Sequence, residues 1–209
     1  KIFFVRPDYW IVTDILTAEQ EHRYALRFHL SAEAAGKTRS GTLAETTMID
    51  SPDLVLVQPK HGNIEVQIET GYVSQYYGVK HAAPIITFTA RGTNRQFHTV
   101  LFPYKKEKPQ VALALLEVWR DGELCVPEEA TALAIHIREG DKSYTDYFFT
   151  RHGDCSAAYR FGDFICDGAF GFVRVNAEGR VVRQYGEIRS MANTVNSNEN
   201  ISDAPVFTF

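Results

Sequence analysis

Residues 21–30 read Glu21-His22-Arg23-Tyr24-Ala25-Leu26-Arg27-Phe28-His29-Leu30. Tyr24, Leu26, Phe28 and Leu30 fall on one phase of a period of two; Arg23, Arg27 and His29 fall on the other. Successive side chains of an extended chain point to opposite faces, so this stretch predicts a strand with one face in a core and one in water. The same alternation recurs downstream. Ile64, Val66 and Ile68 alternate with Glu65, Gln67 and Glu69, and Leu133, Ile135 and Ile137 with His136 and Arg138. Residues 54–57 (LVLV) are apolar throughout, which suits a strand covered on both faces.

Turn chemistry fits a chain of short strands. Asp121-Gly122 separates two apolar stretches and predicts a tight hairpin. Asn176-Ala177-Glu178-Gly179 suits a longer hairpin loop closed by a glycine at positive φ. Helical signals are weak: residues 17–22 suit a turn, and residues 130–134 fit a strand better than a helix. Residues 31–42 read as a polar loop, and the Asn- and Ser-rich residues 193–200 as irregular. The spacing of turns predicts roughly 14–17 short strands. The expected fold is therefore all-β, in antiparallel sandwich layers with few or no helices. Pro103 and Pro109 bracket the charged run Tyr104-Lys105-Lys106-Glu107-Lys108, a pattern suited to an exposed linker. The expected division is 1–105 and 106–209.

Composition narrows the function. The chain has 209 residues and a net charge of −4, which argues against a nucleic-acid binder. A local groove for an acidic polymer stays open. No apolar run approaches the roughly 18 residues of a membrane span. The start, Lys1-Ile2-Phe3-Phe4-Val5, has no signal-peptide pattern and no initiator Met, and reads as a strand inside a longer protein. The three cysteines, Cys125, Cys155 and Cys166, do not describe a disulfide framework. Cys155 and Cys166 pairing across a hairpin and three core thiols are both open readings.

Arg6-Pro7-Asp8-Tyr9-Trp10-Ile11-Val12-Thr13-Asp14, followed by residues 21–30, resembles a segment of heparinase II/III-like polysaccharide lyases. Residues 71–80 with Ala83-Pro84-Ile85, then residues 97–103, resemble further stretches of the same region in the same order. Residues 159–164, Asp167-Gly168 and Val173-Arg174-Val175 resemble its C-terminal sandwich. The resemblance implies that residues 1–105 are the end of a large antiparallel sandwich and 106–209 a smaller one. It further implies a partner, an N-terminal α/α toroid domain of the parent protein, and a periplasmic or extracellular setting in a bacterium. Such lyases cleave acidic, uronic-acid polysaccharides by β-elimination. A base removes the C5 proton, a donor or cation stabilises the developing oxyanion, and an acid protonates the leaving oxygen. In the family, Tyr, His and Asn or Arg of the toroid and the first part of the β region carry these roles, beside a zinc site of His and Asp. This sequence has no toroid-like helical periodicity and no His- and Asp-rich metal stretch. No catalytic or metal residue carries over, and a zinc ion is expected only in an upstream part of the parent.

The remaining candidates are binding residues. Tyr72, Tyr76 and Tyr77 lie between Gly71 and Gly78, with Lys80 and His81 just beyond, and the group suits a projecting loop. Aromatic rings stack on sugar faces, and Lys or His meets a carboxylate. The plainer alternative is that these tyrosines pack in the core or against the toroid. None of the seven histidines has the spacing of a metal-ligand pair, and His29, His98 and His136 on polar strand phases read as exposed or edge residues. The run at 105–108 reads as solvated. Gly162, Gly168 and Gly171 read as tight turns and close packing. Asn200-Ile201-Ser202 is a formal glycosylation acceptor. Two functions stand at this stage: the non-catalytic sandwich part of a lyase, and an independent carbohydrate-binding or adhesion module.

Overall fold

The computed structural model describes residues 1–61, 63–153 and 157–191. Cys155, the stretch 193–200 and the acceptor at Asn200 lie outside them. Among the described residues there are fifteen strands and a single 3-10 turn, in two compact units, Lys1–Lys108 and the chain from Pro109 onward. Every strand pairing is antiparallel, so the all-β reading holds.

In the first unit one sheet is built from β1 (Ile2–Val5), β2 (Tyr9–His29), β3 (Arg39–Leu43), β4 (Thr46–Ser51), β5 (Leu54–Pro59), β6 (Glu65–Val73) and β7 (His81–Pro103). The long strand β7 is its spine. It pairs with β2 along one side; on the other it meets β6 over its first half and β5 over its last residues. The β2–β7 register jumps between Thr17 and His22, which face Asn94 and Gly92. The extra residues make a bulge, and a bulge bends a strand and changes which face its side chains serve. Before it, Ile86, Phe88 and Ala90 point inward; after it, Phe97 and Leu101 do. The bend lets both halves of one sheet share an apolar cluster with Ile49 and Leu56. Tyr24, Leu26, Phe28 and Leu30 pack on this cluster while Arg23, Arg27 and His29 stay exposed, as their alternation predicts. Residues 17–22 are thus not a turn but a bulge within a continuing strand.

One other segment departs from the sequence reading. Residues 39–43, overlapping the expected loop 31–42, form β3, an exposed edge strand held by its ladder to β4. Polar edge strands need no buried face, so they leave no hydrophobic periodicity to read. Residues 105–108 of the charged run are exposed, as expected; the Tyr104 hydroxyl donates to the Ser51 carbonyl (3.0 Å), and Lys108 Nζ lies 2.7 Å from Asp50 Oδ2. Residues 55–57 are fully buried on both faces, as the LVLV run predicts.

The second unit comprises β8 (Gln110–Leu116), β9 (Trp119–Arg120), β10 (Glu123–Leu124), β11 (Ala130–Glu139), β12 (Lys142–Arg151), β13 (Tyr159–Phe161), β14 (Phe164–Asn176) and β15 (Val181–Ser190). Its sheet runs β10-β9-β13-β14-β12-β11-β8, with β15 on the other side of β14. Asp121 and Gly122 both take positive φ (54° and 86°), the conformation of a two-residue hairpin turn. The core is aromatic: Phe149 stacks on Phe161 (5.2 Å between centroids, 11°), and Tyr147 tilts against Phe164 at 4.9 Å. Strand β11 differs from expectation, because it is buried on both faces rather than one. Ala132 and Ala134, on the phase expected to be polar, pack into the aromatic cluster. Alanine is small enough to be covered by rings, but it contributes little to an apolar-polar alternation.

Candidate functional site

Strands β6 and β7 form a hairpin whose ladder ends at Val73 opposite His81. Residues 74–80 make its tip. Gly78 takes φ 77°, a backbone setting that a Cβ resists, and the Val79 N–H closes the turn on the Tyr76 carbonyl (3.1 Å). The Ser74 hydroxyl donates to the same carbonyl at 2.8 Å. Closed on this one carbonyl, the tip extends past the end of the ladder. Tyr72 is 56% exposed, Tyr76 73% and Tyr77 105%, values that place three aromatic rings in water rather than in a core. Lys80 Nζ sits 3.7 Å from the centre of the Tyr72 ring, a close cation–π pair.

The ladder also separates two candidates. Tyr72 faces Ala82 and Val73 faces His81, so Tyr72 and His81 point to opposite faces of the hairpin. His81 contributes instead to the field at Glu33 in the turn Ala32–Ala34. The Ser31 hydroxyl, Glu33's own N–H and the charges of Lys37 and His81 hold that carboxyl below its usual range. The hairpin therefore presents Tyr72 and Lys80 together on one face and His81 on the other. An aromatic plane with an ammonium beside it suits an anionic sugar ring: the plane takes its C–H face, the cation its carboxylate.

One histidine reading needs correction. His98 is fully buried, not exposed or at an edge. It stacks on His61 (5.7 Å, 24°), with Nδ1 3.3 Å from Thr13 Oγ1 and Nε2 3.1 Å from Gln96 Oε1. Burial pushes the His61 imidazole below its usual range, opposed by a contact to the Pro59 carbonyl and assisted by Arg95. His61 and His98 lie far apart in sequence, so no spacing rule brings them together. His136 is half-buried, 2.9 Å from Thr145 Oγ1. Among the described residues no three His, Cys, Asp or Glu side chains gather to hold a metal. Cys166 is buried with its thiol 3.8 Å from the Gly168 carbonyl.

The family model described as heparinase II/III-like, C-terminal matches residues 1–114. The chain belongs to this family. The match takes in the whole of the first unit, the 72–81 hairpin included, and enters β8. The resemblance of residues 159–164, 167–168 and 173–175 lies beyond the part of this heparinase II/III-like chain that the family model covers. No curated protein and no solved structure matches the chain.

Proposed function

We propose that this chain is the non-catalytic β-sheet part of a polysaccharide lyase that cleaves uronic-acid polymers by β-elimination. Family membership supports a lyase as the parent protein. In this reading the chemistry, and any zinc, belongs to a preceding α/α toroid and its adjoining strands. The hairpin of β6 and β7 forms one wall of the polymer cleft, and the protein works in the periplasm or outside a bacterial cell. The observation that carries the role of the hairpin is its tip: Tyr72, Tyr76 and Tyr77 are exposed around a turn closed on the Tyr76 carbonyl, with Lys80 on the Tyr72 face. Large exposed aromatics beside a cation mark a binding surface more often than a resting one. The same tip supports the second reading, an independent carbohydrate-binding module.

The two readings share one test. The chain alone, incubated with heparin, heparan sulfate or alginate, is expected to yield no unsaturated-uronate absorbance. Retardation in native gels cast with alginate is expected, and Tyr72→Ala with Lys80→Gln should weaken it about tenfold. Turnover by the chain alone would overturn the passive role. Retention that ignores both substitutions would remove the hairpin from the binding surface.

A further inference from the structure

In the second unit, beyond the family match, the antiparallel registers of five adjacent strands line up one row of side chains. Leu124 of β10 faces Trp119 of β9, Trp119 faces Arg160 of β13, Arg160 faces Ile165 of β14, and Ile165 faces Arg189 of β15. Directly paired residues point to the same face of a sheet, so all five share one surface. It is the face opposite Tyr159, Cys166 and Ile188, which belong to the core. Leu124 is 54% exposed, Arg160 and Arg189 are exposed, and Trp119 and Ile165 are partly so. The Arg160 guanidinium lies 5.9 Å from the Trp119 ring centre, near the outer limit of a cation–π contact. Arg189 is held by Asp167; among the described residues no carboxylate is paired with Arg160.

We infer that this row is a second saccharide-binding surface, one that takes an anionic sugar residue on the indole of Trp119 with its carboxylate or sulfate against Arg160. The inference takes its ligand class from the proposed function but rests on different residues. An indole in an open sheet face offers a flat apolar plane for a pyranose C–H face. Leu124 lies beside that plane on the neighbouring strand, and Ile165 lies beyond Arg160 on the other side. Arg160, loosely stacked and without a carboxylate of its own, offers the planar fork that suits a carboxylate or sulfate. A second copy of the chain would meet this row with carboxylates too, and sedimentation separates that occupant from a sugar.

The chain has two tryptophans, and Trp10 stacks on Phe4 in the first unit (4.6 Å, 7°), so a Trp10→Phe background leaves Trp119 as the sole indole reporter. Oligomers of alginate, with maltohexaose as the neutral control, are titrated into the full chain. Alginate is expected to perturb Trp119 emission saturably, and maltohexaose is not. Arg160→Gln should weaken the effect about tenfold, with the thermal midpoint unchanged. Tyr72→Ala with Lys80→Gln should leave it intact. Saturable emission change that ignores Arg160→Gln overturns the inference. So does alginate binding, read by calorimetry, that depends on Tyr72 and Lys80 while Trp119 stays silent; in that case the hairpin reading survives. No binding by either measure defeats both. Self-association in sedimentation that Trp119→Ala abolishes would assign the row to contacts between copies instead.

Discussion

Asp146 is fully buried in a strand otherwise filled by Tyr147, Phe148 and Phe149. It sits directly opposite Arg174, which donates from Nε and Nη2 to its two oxygens at 2.7 Å each. The guanidinium also lies 4.1 Å from the Tyr144 ring centre. Such a fork satisfies both carboxylate oxygens, yet taking two charges out of water is expensive, so the pair is weak proof of net stabilisation. Breaking it is another matter. Asp146→Ala would leave the Arg174 charge largely buried (its side chain is 13% exposed) and is expected to cost about 3–5 kcal/mol. Asp146→Leu combined with Arg174→Met should recover most of that loss. Urea unfolding of the two single variants and the double variant measures the coupling. A double variant as unstable as the worse single one would show that the fork, not the burden of one stranded charge, holds the strands.

At the scale of elements, β15 is the edge strand of its sheet, and its hold on β14 depends on a close backbone approach at Gly186. This residue takes φ 79°, and a Cβ built there would lie 2.4 Å from the Phe170 carbonyl oxygen, a backbone atom that cannot rotate away. Gly186→Ala is therefore expected to open the β14–β15 ladder and destabilise the unit by more than about 2 kcal/mol. Hydrogen exchange should show the loss of protection confined first to residues 181–190. Gly179→Ala, also at positive φ (75°) but with nothing near its Cβ, should cost less, about 1 kcal/mol. Equal costs would mean that backbone conformation, not the approach to Phe170, explains Gly186. This contrast also marks how far the sequence reaches. A glycine in a turn such as Asp121-Gly122 or Asn176–Gly179 announces itself by its neighbours, and β2 and β6 announce themselves by alternation. The bulge at residues 18–21 and the doubly buried β11 are fixed by partners distant in sequence, and the edge strand β3 has no buried face to leave a pattern. The tip residues 72–80 were legible because large aromatics beside Gly78 cannot all be buried by so short a turn. The row through Trp119 and Arg160 was not, since only the pairing of β9 with β13 brings these two residues side by side.

Across the molecule, acid should act on both units through one half-buried imidazole in each. His61 in the first is held below the usual histidine range chiefly by burial, and His136 in the second by burial alone. His61 faces His98, the Pro59 carbonyl and Arg95; His136 faces Thr145 and Ser143. A histidine whose folded pKa lies below its unfolded value of 6.5 leaves stability untouched while both states are neutral. As pH falls through about 6.5, the unfolded chain takes up the proton first, and stability drops until the folded pKa is passed. The loss is thus confined to a window that opens at the unfolded value and closes at the depressed one. Urea midpoints measured from about pH 7.5 to about pH 5.5 are expected to decline, and the combined His61→Gln and His136→Gln variant should decline less steeply. Gln cannot take the proton but still offers a polar atom to Pro59 and Thr145. A double variant with an unaltered slope would place the acid sensitivity in groups other than these two rings. Separate His61→Gln and His136→Gln variants, each followed by exchange in its own unit, then show whether the two sheets soften together or one at a time.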